Sequence, residues 1–293
     1  MSTSRPLLRV GLLITDRCNV TCRHCWFKCG PERDSTMTRK QAQDIIDQAS
    51  ALGARWVSFT GGEPFLEPQL LLDLVTYASR KGLHTEAVTN CSWAESRGKA
   101  LERLRPLAEA GLTALNMSVD DFHQEHIPVG RVKHCFDAAK ELGLKPVFMV
   151  ATGKRSAITV SSLPAMLGDQ CIQALGGPRI LHQTALAMES HFAPVGRGAD
   201  MEEKDRGAWA GKVQCDLILS DIGVTPNGDV LPCCSALGCR EDAVIGNIGV
   251  EPLGDILSRA QRNPRFTRIL EGFDVVGSYV DRCGACYRLF GEG

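Results

Sequence analysis

Over the first 184 or so residues, short apolar and β-branched runs alternate with longer stretches of helical period. The short runs fall at residues 8–14, 56–60, 84–89, 114–119, 146–151 and 179–183, and each predicts a strand. Amphipathic stretches at 38–52, 68–81, 93–110 and 131–142 predict helices between them. Gly53, Gly82, Gly111 and Gly143 follow these stretches, as glycine does at helix C-termini. Such βα alternation implies parallel strands joined by crossover helices, an α/β fold. The pattern breaks after about Ala187. Pro194, Gly196 and Gly198 mark a loop, a charged segment follows at 201–206, and the last third carries six cysteines.

Composition narrows the class. A chain of 293 residues allows one large domain or a barrel with a small appendage, and 44% apolar content supports a sizeable core. No apolar stretch has membrane-spanning length, and the N-terminus lacks the apolar segment of a signal peptide. The expectation is a cytoplasmic protein with no membrane role. A formal net charge of −1, with no basic block interleaved with aromatics, speaks against a nucleic-acid partner. Thirteen cysteines in a chain of this length without a secretion signal point to metal or redox chemistry rather than disulfides.

Cys18, Cys22 and Cys25 form a CxxxCxxC loop directly after the first apolar run. Three thiolates at this spacing suit a four-iron cluster with one iron left open for an external ligand; electron-transfer clusters normally have every iron capped. A zinc knuckle is the alternative reading, with His24 completing four N/S ligands. Thr89-Asn90, the GGEP turn and Ser118-Val119-Asp120-Asp121 also fall at predicted strand ends. Active sites of barrel enzymes lie at such ends.

The cysteine loop followed by Thr60-Gly61-Gly62-Glu63-Pro64 resembles the radical S-adenosylmethionine (SAM) superfamily. The resemblance implies a partial (β/α)6 TIM-type barrel over residues 1–190. It implies a [4Fe-4S] cluster on Cys18, Cys22 and Cys25, with SAM chelating the open iron and its amino group bound at Gly61, Gly62, Glu63 and Pro64. One electron from the cluster then cleaves SAM to methionine and a 5′-deoxyadenosyl radical. His24 is expected near the adenine, and Asn90, Ser118 and Asp120 near the ribose or methionine groups. Strand-end polar residues also cap helices, which is the plainer reading of those three. His123 and His126 are substrate contacts or ordinary surface histidines, and Trp26 and Phe27 shield the cluster.

The second cysteine set lies around VTPNGDVLP, which reads as a hairpin turning at Asn227-Gly228. Its order is similar to the twitch domain, a short relative of the SPASM domain, here spanning 191–293. That implies an auxiliary [4Fe-4S] cluster on Cys215, Cys233, Cys283 and Cys286; a zinc ion is the alternative at this ligand count. Cys239 is a substitute ligand or a free thiol. Cys234 is left over, and as a strand neighbour of Cys233 it faces the opposite way, toward the barrel mouth. It is a hydrogen-atom donor or a small buried hydrophobe.

CNVTCRHCWFKCGP (with its extra Cys29), VSFTGGEPFLE, NMSVDDFH, GDVLPCCSA and CGACYRLF further resemble radical SAM epimerases of ribosomally made peptides. That likeness implies abstraction of a Cα hydrogen from an L-residue and hydrogen return from Cys234, with Asp221 orienting the peptide. Without the resemblance, Asp221 is a solvated strand-end carboxylate. Peptide cross-linking to thioether or carbon–carbon bonds, another natural-product maturation, and a zinc or iron–sulfur scaffold without activity are the rivals. The expected partners are the peptide and an external electron donor. Few residues precede the first strand, so either a separate leader-binding protein presents the peptide or the barrel mouth recognises it.

Overall fold

The computed structural model describes residues 5–153, 155–177, 182–191, 193–200, 209–279 and 281–290. The barrel strands are β1 (Arg9–Thr15), β2 (Trp56–Gly61), β3 (His84–Thr89), β4 (Ala114–Ser118) and β5 (Lys145–Thr152), then the edge strand β6 (Ile172–Ala174) and β7 (Ala185–His191). Helices α1 (Arg39–Ala51), α2 (Pro68–Arg80), α3 (Arg97–Glu109), the short α4 (Asp121–Gln124), α5 (Val129–Glu141) and α6 (Leu163–Leu167) connect them. In the C-terminal part, β8 (Trp209–Val213) pairs with β12 (Phe273–Tyr279), while β9 (Asp221–Val224), β10 (Asp229–Leu231) and β11 (Gly246–Asn247) extend the main sheet. Helices α7 (Leu253–Ala260), α8 (Pro264–Glu271) and α9 (Arg282–Leu289) complete this part.

The strand order is β11-β10-β9-β1-β2-β3-β4-β5-β7-β6, with every pairing from β9 to β6 parallel. This is the expected α/β partial barrel, with β1 to β5 and β7 as its six strands. Strand alternation sorts the side chains. Val10, Leu12 and Ile14 share the hydrophobic core with Ala42, Ile45 and Ile46 of α1. The opposite face turns toward the lumen, where Thr60, Val88, Ser118, Met149 and Ser190 line one cavity. Thr38 caps α1 and Ser96 caps α3 through their side chains. All four predicted helix-ending glycines have positive φ.

Two expectations need correction. The sixth barrel strand is Ala185–His191, not 179–183. Residues 179–181 lie outside the described residues, and His182 and Gln183 precede the strand. ALAMES has weak intrinsic β-propensity, and six register pairs with β5 make it a strand. The hairpin turn is also longer than Asn227-Gly228. Val224 pairs with Val230, Gly228 N donates to Thr225 O (2.9 Å), and Gly228 follows the Pro226-Asn227 corner at φ +90°. The charged segment 201–206 lies outside the described residues. Among the described residues, no helix is long and apolar enough to cross a membrane.

Candidate active site

The cysteine loop leaves the C-terminal end of β1 and is closed at its base. Cys18 N donates to Gly30 O (3.1 Å), and Asp16 accepts from Ser35 N and from the Arg33 side chain. The GGEP turn docks on this base by backbone alone: Gly62 N donates to Thr15 O (2.7 Å) and Glu63 N to Arg17 O (2.9 Å). The approach excludes side chains. A Cβ on Gly61 would lie 2.1 Å from Thr15 O, and one on Gly62 would lie 2.0 Å from Arg17 O. The two glycines join the cysteine loop to the end of β2.

Cys18, Cys22 and Cys25 line one cavity of about 220 Å³, together with Cys29, Gly61, Gly62, Asn90, Ser118 and Asp120. Burial pushes the Cys18 thiol up to about 11 and the Cys22 thiol up to about 12, so both keep their protons at neutral pH without a cation. The hydrogen bond with Cys29 outweighs burial and holds Cys25 below the ordinary thiol range, while Cys29 is raised. The thiols of Cys18, Cys22 and Cys25, with Cys29 hydrogen-bonded to Cys25, form a donor set that fits an iron–sulfur cluster.

The rest of the cavity wall is polar and tightly tied. Asp120 caps α4 by accepting from His123 N, and its carboxylate meets His123 Nδ1 at 2.9 Å. Burial opposes ionisation of Asp120, but the charge and hydrogen bond of His123 win, and the carboxyl titrates below its usual range. His24 stacks on Phe122 at 4.6 Å, and burial lowers its imidazole to about 4. Its Nδ1 is buried without a hydrogen-bond partner, a polar atom left for whatever occupies the cavity. Asn90 Nδ2 donates to Asn19 Oδ1 (3.0 Å), which ties the end of β3 to the cysteine loop.

Two expected SAM contacts do not face this cavity. Glu63 is fully buried beneath it and accepts from Asn90 N (2.8 Å), Thr89 Oγ1 (2.9 Å) and Phe65 N (3.2 Å). Burial raises its carboxyl to about 7, against the pull of those donors. Glu63 therefore pins β3 under the turn, while the backbone of Thr60-Gly61-Gly62 is what the cavity sees. Pro64 is buried in the short helical turn that follows. Trp26 and His123 line the cavity, whereas His126 is exposed and Phe27 is not in the lining.

Cys215, Cys233, Cys283 and Cys286 come together around a second cavity of about 170 Å³, with Arg9, Asp221 and Cys234 also in its wall. Burial raises the Cys233, Cys283 and Cys286 thiols, Cys233 to about 12. Four thiols, delivered from the loop after β8, from beyond β10 and from α9, fit a cluster or an equivalent tetrathiolate centre. Cys239 is not in this wall; it packs with Ala193, Val195, Ala236 and Trp26.

Cys234 lies just beyond β10 rather than on a strand, in the wall of the same cavity as Cys233, with its side chain against the inner face of β1. Its thiol donates to Ile222 O (3.1 Å) and rests against Gly11, where a side chain would crowd it. The residue is accessible to solvent although protein surrounds it. Burial, reinforced by the Asp221 carboxylate, keeps the thiol protonated. Asp221 accepts from Arg9 Nε (2.9 Å), and Arg9 also pairs with Glu86 (2.8 Å). Asp221 is thus a buried, paired carboxylate rather than a solvated strand end.

Sequence reasoning missed Arg9, Gly11 and Glu86. The signal for the first two was available, since Arg9 and Gly11 stand two apart on one face of β1. Glu86 is placed only by tertiary pairing.

Residues 12–154 match the radical SAM superfamily profile, and residues 215–287 match an iron–sulfur cluster-binding domain of SPASM type. The Fe-coproporphyrin III synthase of Methanosarcina barkeri is 26% identical over 214 residues, 70% of this chain and 49% of that protein. YydG of Bacillus subtilis, named for peptide biosynthesis, is 24% identical over 133 residues, 45% of this chain and 42% of its own. The chain spans about half the length of the curated relatives it matches. SuiB of Streptococcus suis, solved with its precursor peptide SuiA, has the same fold at TM-score 0.64 and 16% identity, over 91% of this chain and 67% of that one. With both profiles matched in order along one chain, the protein belongs to the radical SAM superfamily, whose domain binds SAM and a four-iron cluster, and carries a SPASM-type auxiliary-cluster domain behind its barrel.

Proposed function

We propose that the protein is a peptide epimerase that converts L-residues to D-residues in a ribosomally made peptide. The observation that carries this reading is the position of the Cys234 thiol inside the lumen, against Gly11. Gly11 lies four residues before the end of β1, so the thiol sits roughly 13 Å along the strand from the SAM-side cavity.

Cys18, Cys22, Cys25 and the Gly61-Gly62 backbone would hold the cluster and SAM in the upper cavity, and that group would supply the radical chemistry that takes a Cα hydrogen. The Cα radical is planar, so the face that next receives hydrogen sets the configuration. Cys234 faces it from below with an intact S–H. Homolysis of S–H forms the new Cα–H bond and leaves a thiyl radical. One proton and one electron from an external low-potential donor would restore the thiol; Cys215, Cys233, Cys283 and Cys286 would hold an auxiliary centre that would supply redox chemistry beside it. Asp221 and Arg9 lie beside the donor and orient peptide amides through hydrogen bonds.

In this reading Cys18, Cys22 and Cys25 hold the SAM-binding cluster. Gly61, Gly62, Asn90, Ser118, Asp120 and His24 surround SAM, with Glu63 and Pro64 supporting the turn. Cys215, Cys233, Cys283 and Cys286 hold the auxiliary cluster. The barrel is assigned to residues 1–190 and the auxiliary domain to 191–293, although β9 hydrogen-bonds in parallel to β1 across that division.

Chiral amino-acid analysis of the hydrolysed peptide tests the proposal. Wild-type enzyme should produce D-residues, and Cys234→Ala should produce deoxyadenosine without them. D-residues formed by Cys234→Ala at the wild-type rate would end the assignment.

A further inference from the structure

The loop that leaves the barrel, residues 193–197, is pressed against the cysteine loop. Ala193 and Val195 are buried with Ala236, against Trp26 and Cys283, so this segment touches both thiol clusters. Gly196 has φ +60°, and a Cβ there would lie 2.1 Å from Trp26 O. That close approach places Arg197 on the loop's carbonyls. Its backbone N donates to Cys25 O (2.9 Å), Nη1 to Cys22 O (2.7 Å) and Nη2 to Cys29 O (2.6 Å).

One residue therefore takes three carbonyl oxygens of the loop that presents the thiols. The planar guanidinium fork suits two acceptors at once, which a lysine ammonium does not reproduce. Its charge is fixed beside a partly buried site, where screening is weak. A four-iron cluster on three thiolates gains one negative charge when it accepts the electron used to cleave SAM. A neighbouring cation favours that reduced state.

We infer that Arg197 is a positioning residue for the SAM-binding cluster: it fixes the carbonyl frame of the cysteine loop, and its charge eases the cluster's one-electron reduction. This rests on the cluster site alone and not on the epimerase reading, so the test needs no peptide.

Anaerobically reconstituted enzyme would be titrated with a low-potential reductant and followed by electron paramagnetic resonance, with iron content and peptide-free SAM cleavage measured in parallel. Arg197→Gln should show a more negative midpoint for the SAM-binding cluster and about tenfold slower cleavage. Its iron content and auxiliary-cluster signal should match wild type. Arg197→Lys should hold the midpoint near wild type while changing the line shape, because the charge stays and the fork is lost. A wild-type midpoint in Arg197→Gln would overturn the assignment. Equal loss of iron from the N-terminal site in both variants would also overturn it, reducing Arg197 to a structural strap.

Discussion

The thiol of Cys234 is seated on the α-carbon of Gly11: a methyl group added there would lie 2.7 Å from the sulfur. The contact needs a glycine in β1, and it aims a side chain from the C-terminal domain into the barrel. Because the obstructed atom ends a short side chain, Gly11→Ala should rotate the thiol away rather than unfold the strand. Deoxyadenosine formation should continue while D-residues per deoxyadenosine fall at least about tenfold. Parallel quantification of both products checks this, and an unchanged ratio would remove Gly11 from the account.

Gly62 faces a rigid obstacle instead. Its Cβ would meet the Arg17 carbonyl, whose backbone cannot turn aside without opening the base of the cysteine loop. Gly62→Ala should cost about 1–3 kcal/mol and lower iron retention at the N-terminal site. Gly130→Ala, in open space within α5, is the control and should be neutral or slightly stabilising. Chemical denaturation of the two variants gives the comparison.

Buried Glu63 gives a pH signature. Its carboxyl is raised from 4.5 to about 7 when folded, so the native state holds the proton more tightly than the unfolded chain. Its contribution is fully present below pH 4.5 and is lost as pH rises to about 7, a swing of up to about 3 kcal/mol. Glu63→Gln cannot ionise, so its stability relative to wild type should improve across that window and stay level above it. Urea unfolding of the metal-free proteins at pH 4.5, 6 and 7.5 measures the difference.

Removal of the auxiliary metal centre should act locally. The four thiols tie together the loop after β8, the segment beyond β10, and α9. Hydrogen exchange after chelation should quicken in residues 209–218 and 273–289, while β1 to β5 stay protected. Uniform loss of protection would mean that the centre supports the barrel as well.

Most of the barrel was legible because its signals are local. The strands at 56–60 and 84–89 carry their own periodicity, and Thr38 and Gly53 mark the ends of α1. Cys18, Cys22 and Cys25 are adjacent in sequence, so their convergence follows from one loop. The sixth strand was not legible, because ALAMES becomes a strand only by pairing with β5. Glu63 could be found but not given its role, since hydrogen bonds to Thr89 and Asn90, 26 and 27 residues away, decide which way it points. Glu86 and Arg197 act through partners on other strands or loops, and no local pattern marks them.

The most direct test of the central claim is mass spectrometry of the peptide after turnover in heavy water. The Cys234 thiol exchanges with solvent, so each event should add one deuterium at Cα, accompanied by a D-residue and one deoxyadenosine. A peptide lighter by two hydrogens, with no deuterium at Cα, would contradict hydrogen return from Cys234 and identify a cross-linking enzyme instead.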